Sequence, residues 1–142
     1  MGNQKTLKIS WNQIQGEIYQ SLFQAEAYRR KFLIEKSDVP LPWDFTLTHP
    51  KNLKRPIRVQ VKGTNSLVCN RYRITNKSGG AKISKIDDSI IDVASFYVEP
   101  TNTWYNIPAA SLKGHSVWLY PHIKESKGFY ECWKHDWTVF ET

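Results

Sequence analysis

The sequence predicts a single α/β domain, and three patterns carry that prediction. An apolar period of three and four residues opens the chain, a hairpin of two alternating strands follows, and a later run of β-branched and aromatic residues returns as a second strand pair. With 142 residues the chain can bury one real core, and residues 1–142 are read as that one domain.

Residues 1–9 are polar, carry Lys5 and Lys8, and read as a partly ordered basic arm. Ser10 and Gln13 have the spacing of a capping box, so a helix is expected to start near Trp11. Trp11, Ile14, Ile18, Leu22, Ala25 and Phe32 recur at helical spacing and form one apolar stripe, expected to cover a sheet. Glu17 sits on the flank of that stripe, beside Ser21, and Arg29, Arg30 and Lys31 complement the helix dipole at its end.

After a proline-bounded connection comes the hairpin. Trp43, Phe45 and Leu47 share one face of its first strand, leaving Asp44, Thr46 and Thr48 on the other. Ile57, Val59 and Val61 share a face of the second, leaving Arg58, Gln60 and Lys62 opposite, and residues 49–55 connect the two. A third strand is expected over residues 71–75, then a loop rich in turn residues over 76–82. Asp87 and Asp88 precede a buried central strand over residues 89–98, which turns at 99–102 and returns over 103–107. Pro108 opens a short helix to Leu112, residues 116–120 form a last strand, and Tyr130, Trp133, Trp137 and Phe140 give the tail enough apolar surface to dock.

Lys and Arg number 20 against 13 Asp and Glu, a net charge of +7 and a pI near 9.4, which favours a polyanionic partner, nucleic acid before membrane. No apolar run is long enough to span a bilayer and the N-terminus lacks a signal-peptide pattern. Cys69 and Cys132 have neither the number nor the spacing of a disulfide framework or zinc site, so both are expected as reduced thiols in a cytoplasmic protein. Ser78-Gly79-Gly80 lacks the phosphate-loop pattern, no serine sits in a nucleophile turn, and no nucleotide cofactor is expected.

If the hairpin's apolar faces meet one core, Asp44, Gln60 and Lys62 project together. A carboxylate, an amide oxygen and an ammonium on adjacent strands can hold a hard cation and a phosphate. Mg²⁺ takes oxygen ligands and keeps several waters, so one or two carboxylates suffice, and Mn²⁺ is expected to substitute. Asp44 would ligate directly, with the Gln60 side-chain oxygen and the Val61 carbonyl beside it. Lys62 would orient a water or stabilise the charged phosphorane, and Glu17 would bind a second ion or a metal-bound water. The plain alternative for Arg58, Gln60 and Lys62 is the solvated face of an amphipathic strand.

Gly16-Glu17 in an early helix, Asp44 after an aromatic, and Gln60-Val61-Lys62-Gly63-Thr64 together resemble the PD-(D/E)xK nuclease superfamily. The variant with Gln in the second acid's place is similar to the small intron-encoded homing endonucleases of bacteria, notably those of cyanobacterial group I introns. Residues 92–98 followed by 104–108 resemble the strand pair after the motif in those proteins. The resemblance implies a restriction-endonuclease-like core with a mixed β-sheet flanked by helices, in the order α-β-β-β-α-β. It further implies metal-dependent double-strand DNA cleavage by a homodimer or dimer of dimers, with Glu17, Asp44, Gln60 and Lys62 as the active site. Trp43-Asp44 stands where the superfamily has Pro-Asp, and Gln60 removes a negative charge, which is expected to weaken metal affinity. A restriction or Holliday-junction nuclease on the same scaffold, or a catalytically silent DNA-binding module, are the alternatives. Duplex DNA contacts are expected from Lys51, Lys54 and Arg55 in one loop and Lys77, Lys82 and Lys85 in another. Arg58, Arg71 and Arg73 on strands would reach base edges, and affinity would fall steeply with salt.

Overall fold

Ser10 stops the N-terminal segment and starts helix α1 (Trp11–Arg29): its backbone is extended and its Oγ accepts a hydrogen bond from the Gln13 amide at 3.4 Å. The helix closes three residues earlier than its apolar period suggests. Lys31 takes a φ of 65°, its N–H donates to the Tyr28 carbonyl, and the Phe32 N–H donates to that of Ala27, the paired bonds of a Schellman end. The computed structural model describes residues 6–76 and 85–141.

Five strands make a mixed sheet: β1 (Leu33–Lys36), β2 (Phe45–Thr48), β3 (Ile57–Thr64), β6 (Val93–Val98) and β7 (Thr103–Pro108), in the order β1-β2-β3-β6-β7. Only β3 and β6 run parallel. A second, antiparallel sheet holds β4 (Leu67–Val68), β5 (Arg71–Thr75) and β8 (Ser116–Leu119), in the order β4-β5-β8. Helix α1 covers one face of the large sheet and the small sheet covers the other, which gives three layers and two cores.

The mixed sheet is as expected, but its flanks differ. Among the described residues α1 is the one α-helix, so the second helix of the implied order is absent there, and the parallel β3-to-β6 connection passes through β4 and β5. The central strand starts at Val93, because Asp87 turns the chain first: its Oδ1 takes the Ser89 amide at 2.9 Å and its carbonyl takes the Ile91 amide at 2.9 Å. The loop expected over 76–82 lies, apart from Asn76, outside the described residues; the Ile86 amide donates to the buried Asn76 side chain at 3.4 Å. The short helix after Pro108 is one 3₁₀ turn, Ala109–Ser111. The tail docks as expected, burying Tyr130, Trp137 and Phe140.

Helix α1 reverses the expected facing. It buries Tyr19, Phe23 and Ala27, spaced four apart, while Trp11, Ile14, Ile18, Leu22 and Ala25 point outward. Phe23 explains the choice: it stacks on Phe45 and on Trp137, each at 5.7 Å between centroids, and meets Trp104 edge-on at 5.5 Å. Such contacts add about 0.5–1.5 kcal/mol per pair beyond area burial, which the aliphatic stripe cannot match.

Candidate active site

Alternation fixes which side chains of the hairpin reach the core. In β3, Ile57, Val59 and Val61 are buried against α1, while Arg58, Gln60 and Lys62 are half-buried on the side of the small sheet. Phe45 and Leu47 of β2 follow the same rule. Trp43 departs from it. The chain bends before β2 begins, and Trp43 packs with the second core instead, with the Arg58 guanidinium 5.6 Å from its ring centroid.

That bend builds the site. Pairing of β2 with β3 stops at Phe45 and Val59, yet β3 runs on to Thr64 beside β6. Asp44, one step beyond the last pair, takes up the next donor on β3: its Oδ2 accepts from the Val61 amide at 2.7 Å. Its Oδ1 accepts from Gln20 Nε2 of α1 at 3.2 Å, so strand and helix together fix the carboxylate. Burial pushes the Asp44 carboxyl upward, against the Val61 hydrogen bond and the charges of Lys36 and Lys62, while Glu17 adds to the rise.

Lys62 donates from Nζ to the Thr75 carbonyl at 2.9 Å. Burial pulls its ammonium down from 10.5 to about 8, with Asp44 opposing the fall. An acid raised and a lysine lowered, each sensing the other's charge, are what proton handling near neutral pH requires. Between them in sequence, Gln60 keeps its Oε1 buried with no hydrogen-bond partner among the described residues. An orphaned buried acceptor costs about 1–3 kcal/mol, and this one, one residue before Asp44's anchor on β3, can accept from a donor or a cation.

Glu17 is the outlying member. Its side chain is 65% exposed and pairs with Lys36 at 3.2 Å, at the rim of a cleft that also holds Gln20, Trp43 and Asp44. A second cleft of about 470 Å³ lies between α1 and the two sheets, lined by Gly16, Tyr19, Val61, Lys62 and Thr75. Gln20 borders both clefts. The structure thus ties Asp44 to Val61 within range of the Lys62 charge and sets Glu17 at the edge, while Gln60, one residue before Val61 on β3, borders neither cleft. Sequence reasoning missed Gln20, although it lies one turn from Glu17 on the same flank, and Lys36, which sits on the unforeseen β1. No group of three His, Cys, Asp or Glu side chains that could hold a metal occurs among the described residues. Oxygen donors are instead two carboxylates, an unsatisfied amide oxygen and backbone, a set that fits a hard cation holding much of its own water.

The expected DNA contacts fare unevenly. Lys51, Lys54 and Arg55 are exposed at the far end of the hairpin from Asp44, and Lys85 is exposed. Lys77 and Lys82 lie outside the described residues. Arg58 is committed within the fold: its backbone N–H, Nε and Nη2 all donate to the Asp92 carboxylate at 2.8–3.1 Å. Arg71 lies 3.6 Å from the Trp118 ring centroid, and Arg73 donates to Ser116 Oγ at 2.9 Å. Their neighbours Tyr72 and Ile74 are buried in the second core, so both arginines stand on the small sheet's other face, where Arg73 also lines the cleft that holds Lys62.

No family model matches the chain, and no curated protein matches it. The three-layer arrangement is nonetheless a known one: the fold is that of a homing endonuclease. One solved structure it resembles is that of a bacterial homing endonuclease, I-Ssp6803I, with a TM-score of 0.79 over 93% of this chain and 95% of that one, at 19% sequence identity.

Proposed function

We propose that this protein is a Mg²⁺-dependent DNA endonuclease of the PD-(D/E)xK type, in its Gln variant, that makes site-specific double-strand breaks as a homing enzyme. The observation that carries the reading is the half-buried Asp44 carboxylate held on the Val61 amide within range of the Lys62 charge, with the unsatisfied Gln60 Oε1 one residue earlier on β3. A neutral strand face left to solvent needs neither a desolvated carboxylate nor an orphaned acceptor. The fold neighbour's description as a homing endonuclease and the net charge of +7 support a DNA substrate.

In this reading Asp44, the Gln60 oxygen and the Val61 carbonyl would hold the metal, with Glu17 reaching it directly or through water, and Mn²⁺ would serve in its place. The metal polarises the phosphate and lowers the pKa of water. Lys62 orients the attacking water and answers charge that builds on the phosphoryl oxygens. Gln20 and the Val61 amide keep Asp44 aimed, and Lys36 keeps Glu17 at the rim. A break in both strands calls for two such sites, hence at least two copies.

The test is cleavage of a duplex library in Mg²⁺ by the wild type, Asp44→Ala and Lys62→Ala, with binding followed by fluorescence anisotropy. The reading expects cutting by the wild type alone and salt-sensitive binding by all three. Binding without cutting in any divalent ion would make the chain a silent DNA-binding module, and cutting confined to four-way junctions would make it a resolvase.

A further inference from the structure

We infer that the outward stripe of α1 is a self-association surface on which two copies pair their helices antiparallel about a two-fold axis through Ile18. Trp11, Ile14, Ile18 and Leu22 are 70%, 41%, 43% and 39% exposed, with exposed Ala25 completing the row. From residue 11 to 25 the only charged side chain is Glu17, and its carboxylate is turned to Lys36 at 3.2 Å. A helix face meant for water carries charges; this one carries apolar residues at helical spacing.

The row is symmetric about its middle. Ile14 and Leu22 lie four residues before and after Ile18, and Trp11 and Ala25 lie seven before and after it. A two-fold axis through Ile18 therefore sets Ile18 on its own copy, Ile14 on Leu22, and the bulky Trp11 on the small Ala25. That is the isologous pattern in which each contact occurs twice, large against small. The stripe spans about 21 Å at 1.5 Å per residue. At roughly 200 Å² per large apolar side chain, its four exposed residues offer about 400 Å². Leu7, Ile9, Val39 and Leu41, also exposed, offer about as much again, together near the ~800 Å² per partner of a standard interface. Val39 and Leu41 line the cleft beside Glu17 and Asp44, so the pairing places the two sites on either side of the axis.

The inference rests on the nuclease reading for its purpose, two sites for two strands, and on exposure and spacing alone for its geometry. The experiment keeps them apart by leaving out DNA and metal. Sedimentation of the wild type at micromolar concentration should give a dimer or a multiple of it, and Ile18→Glu should give a monomer that still unfolds in one cooperative transition, since the side chain lies outside the core. Because one negative charge can also unsettle a helix, a second variant reports the register. Ile18→Cys, with the exposed Cys69 and Cys132 replaced by Ser, should form a disulfide-linked dimer on mild oxidation, whereas Asn12→Cys in the same background should not. A monomeric wild type, or a dimer that survives Ile18→Glu and leaves Ile18→Cys unlinked, overturns the inference. A monomer that cuts both strands overturns it while leaving the nuclease assignment intact, and a dimer that cuts nothing does the reverse.

Discussion

Replacing Lys62 by Met isolates what the site costs the fold. The ammonium's fall from 10.5 to about 8 means that the folded chain releases this proton more readily than the unfolded one. Converted in full, that is about 3 kcal/mol; because the group keeps some contact with water, screening reduces it to about 1–2 kcal/mol. The sign follows from linkage: a lysine with a lowered folded pKa destabilises the fold below about pH 8, and the penalty fades as pH rises towards 10.5. Lys62→Met removes the charge and keeps the straight stem. Its stability relative to wild type should therefore be highest near pH 7 and decline by about 1–2 kcal/mol by about pH 10. Loss of the 2.9 Å bond to the Thr75 carbonyl offsets the comparison by a similar amount at each pH, because a neutral amine also donates. Urea unfolding of both proteins in EDTA at three pH values measures the difference, in which other titrating groups cancel. A gap independent of pH, or one that widens as pH rises, would refute the assignment of Lys62 as a desolvated lysine.

Three further substitutions probe its neighbours. Gly63→Ala should destabilise by about 1–3 kcal/mol in urea unfolding, because the new methyl would lie 2.4 Å from the Tyr19 ring. That ring cannot swing aside, being tied through its hydroxyl to Glu99 at 2.9 Å and packed on Tyr97. Gln60→Met should stabilise the metal-free protein by about 1 kcal/mol by removing an orphaned acceptor, and should lose any rise in melting temperature that Mn²⁺ gives the wild type; an unchanged Mn²⁺ response would remove Gln60 from the metal site. Arg58→Met should cost about 1 kcal/mol with little change in DNA affinity, since a half-exposed ion pair to Asp92 is modest in value. A large loss of affinity with stability intact would instead return Arg58 to the DNA interface.

Much of this site was legible because strand parity is rigid. Once Phe45, Leu47, Val59 and Val61 are assigned to one core, the sheet's period of two leaves Gln60 and Lys62 no other side. The position of the carboxylate rests on something other than parity. Asp44 lies outside β2, and it reaches Val61 because the strand stops and the chain bends there. The same bend sends Trp43 to the opposite core, which alternation extended by two residues would not allow. The edge strand β1 has four residues with one buried, too short a signal to read, and with it went Lys36. That a small sheet takes the place of an expected helix among the described residues depends on how β5 and β8 pack over Ala94, Phe96 and Val98, a contact between segments far apart in sequence.

Helix α1 shows where periodicity stops being informative. Its sequence carries two apolar rows, Trp11-Ile14-Ile18-Leu22-Ala25 and Tyr19-Phe23-Ala27, on opposite faces. Spacing cannot rank them, because both satisfy the helical period equally well. The choice falls to shape: only the aromatic row meets Phe45, Trp104 and Trp137 at stacking distances, so it takes the sheet and turns the aliphatic row to the outside. An apolar row identifies a face that needs a cover and leaves open whether that cover belongs to the same chain. Facing the aromatic row to the sheet also brings Gln20 to Asp44, whose Oδ1 it holds. The rotation of one helix thus links the outward stripe to the site.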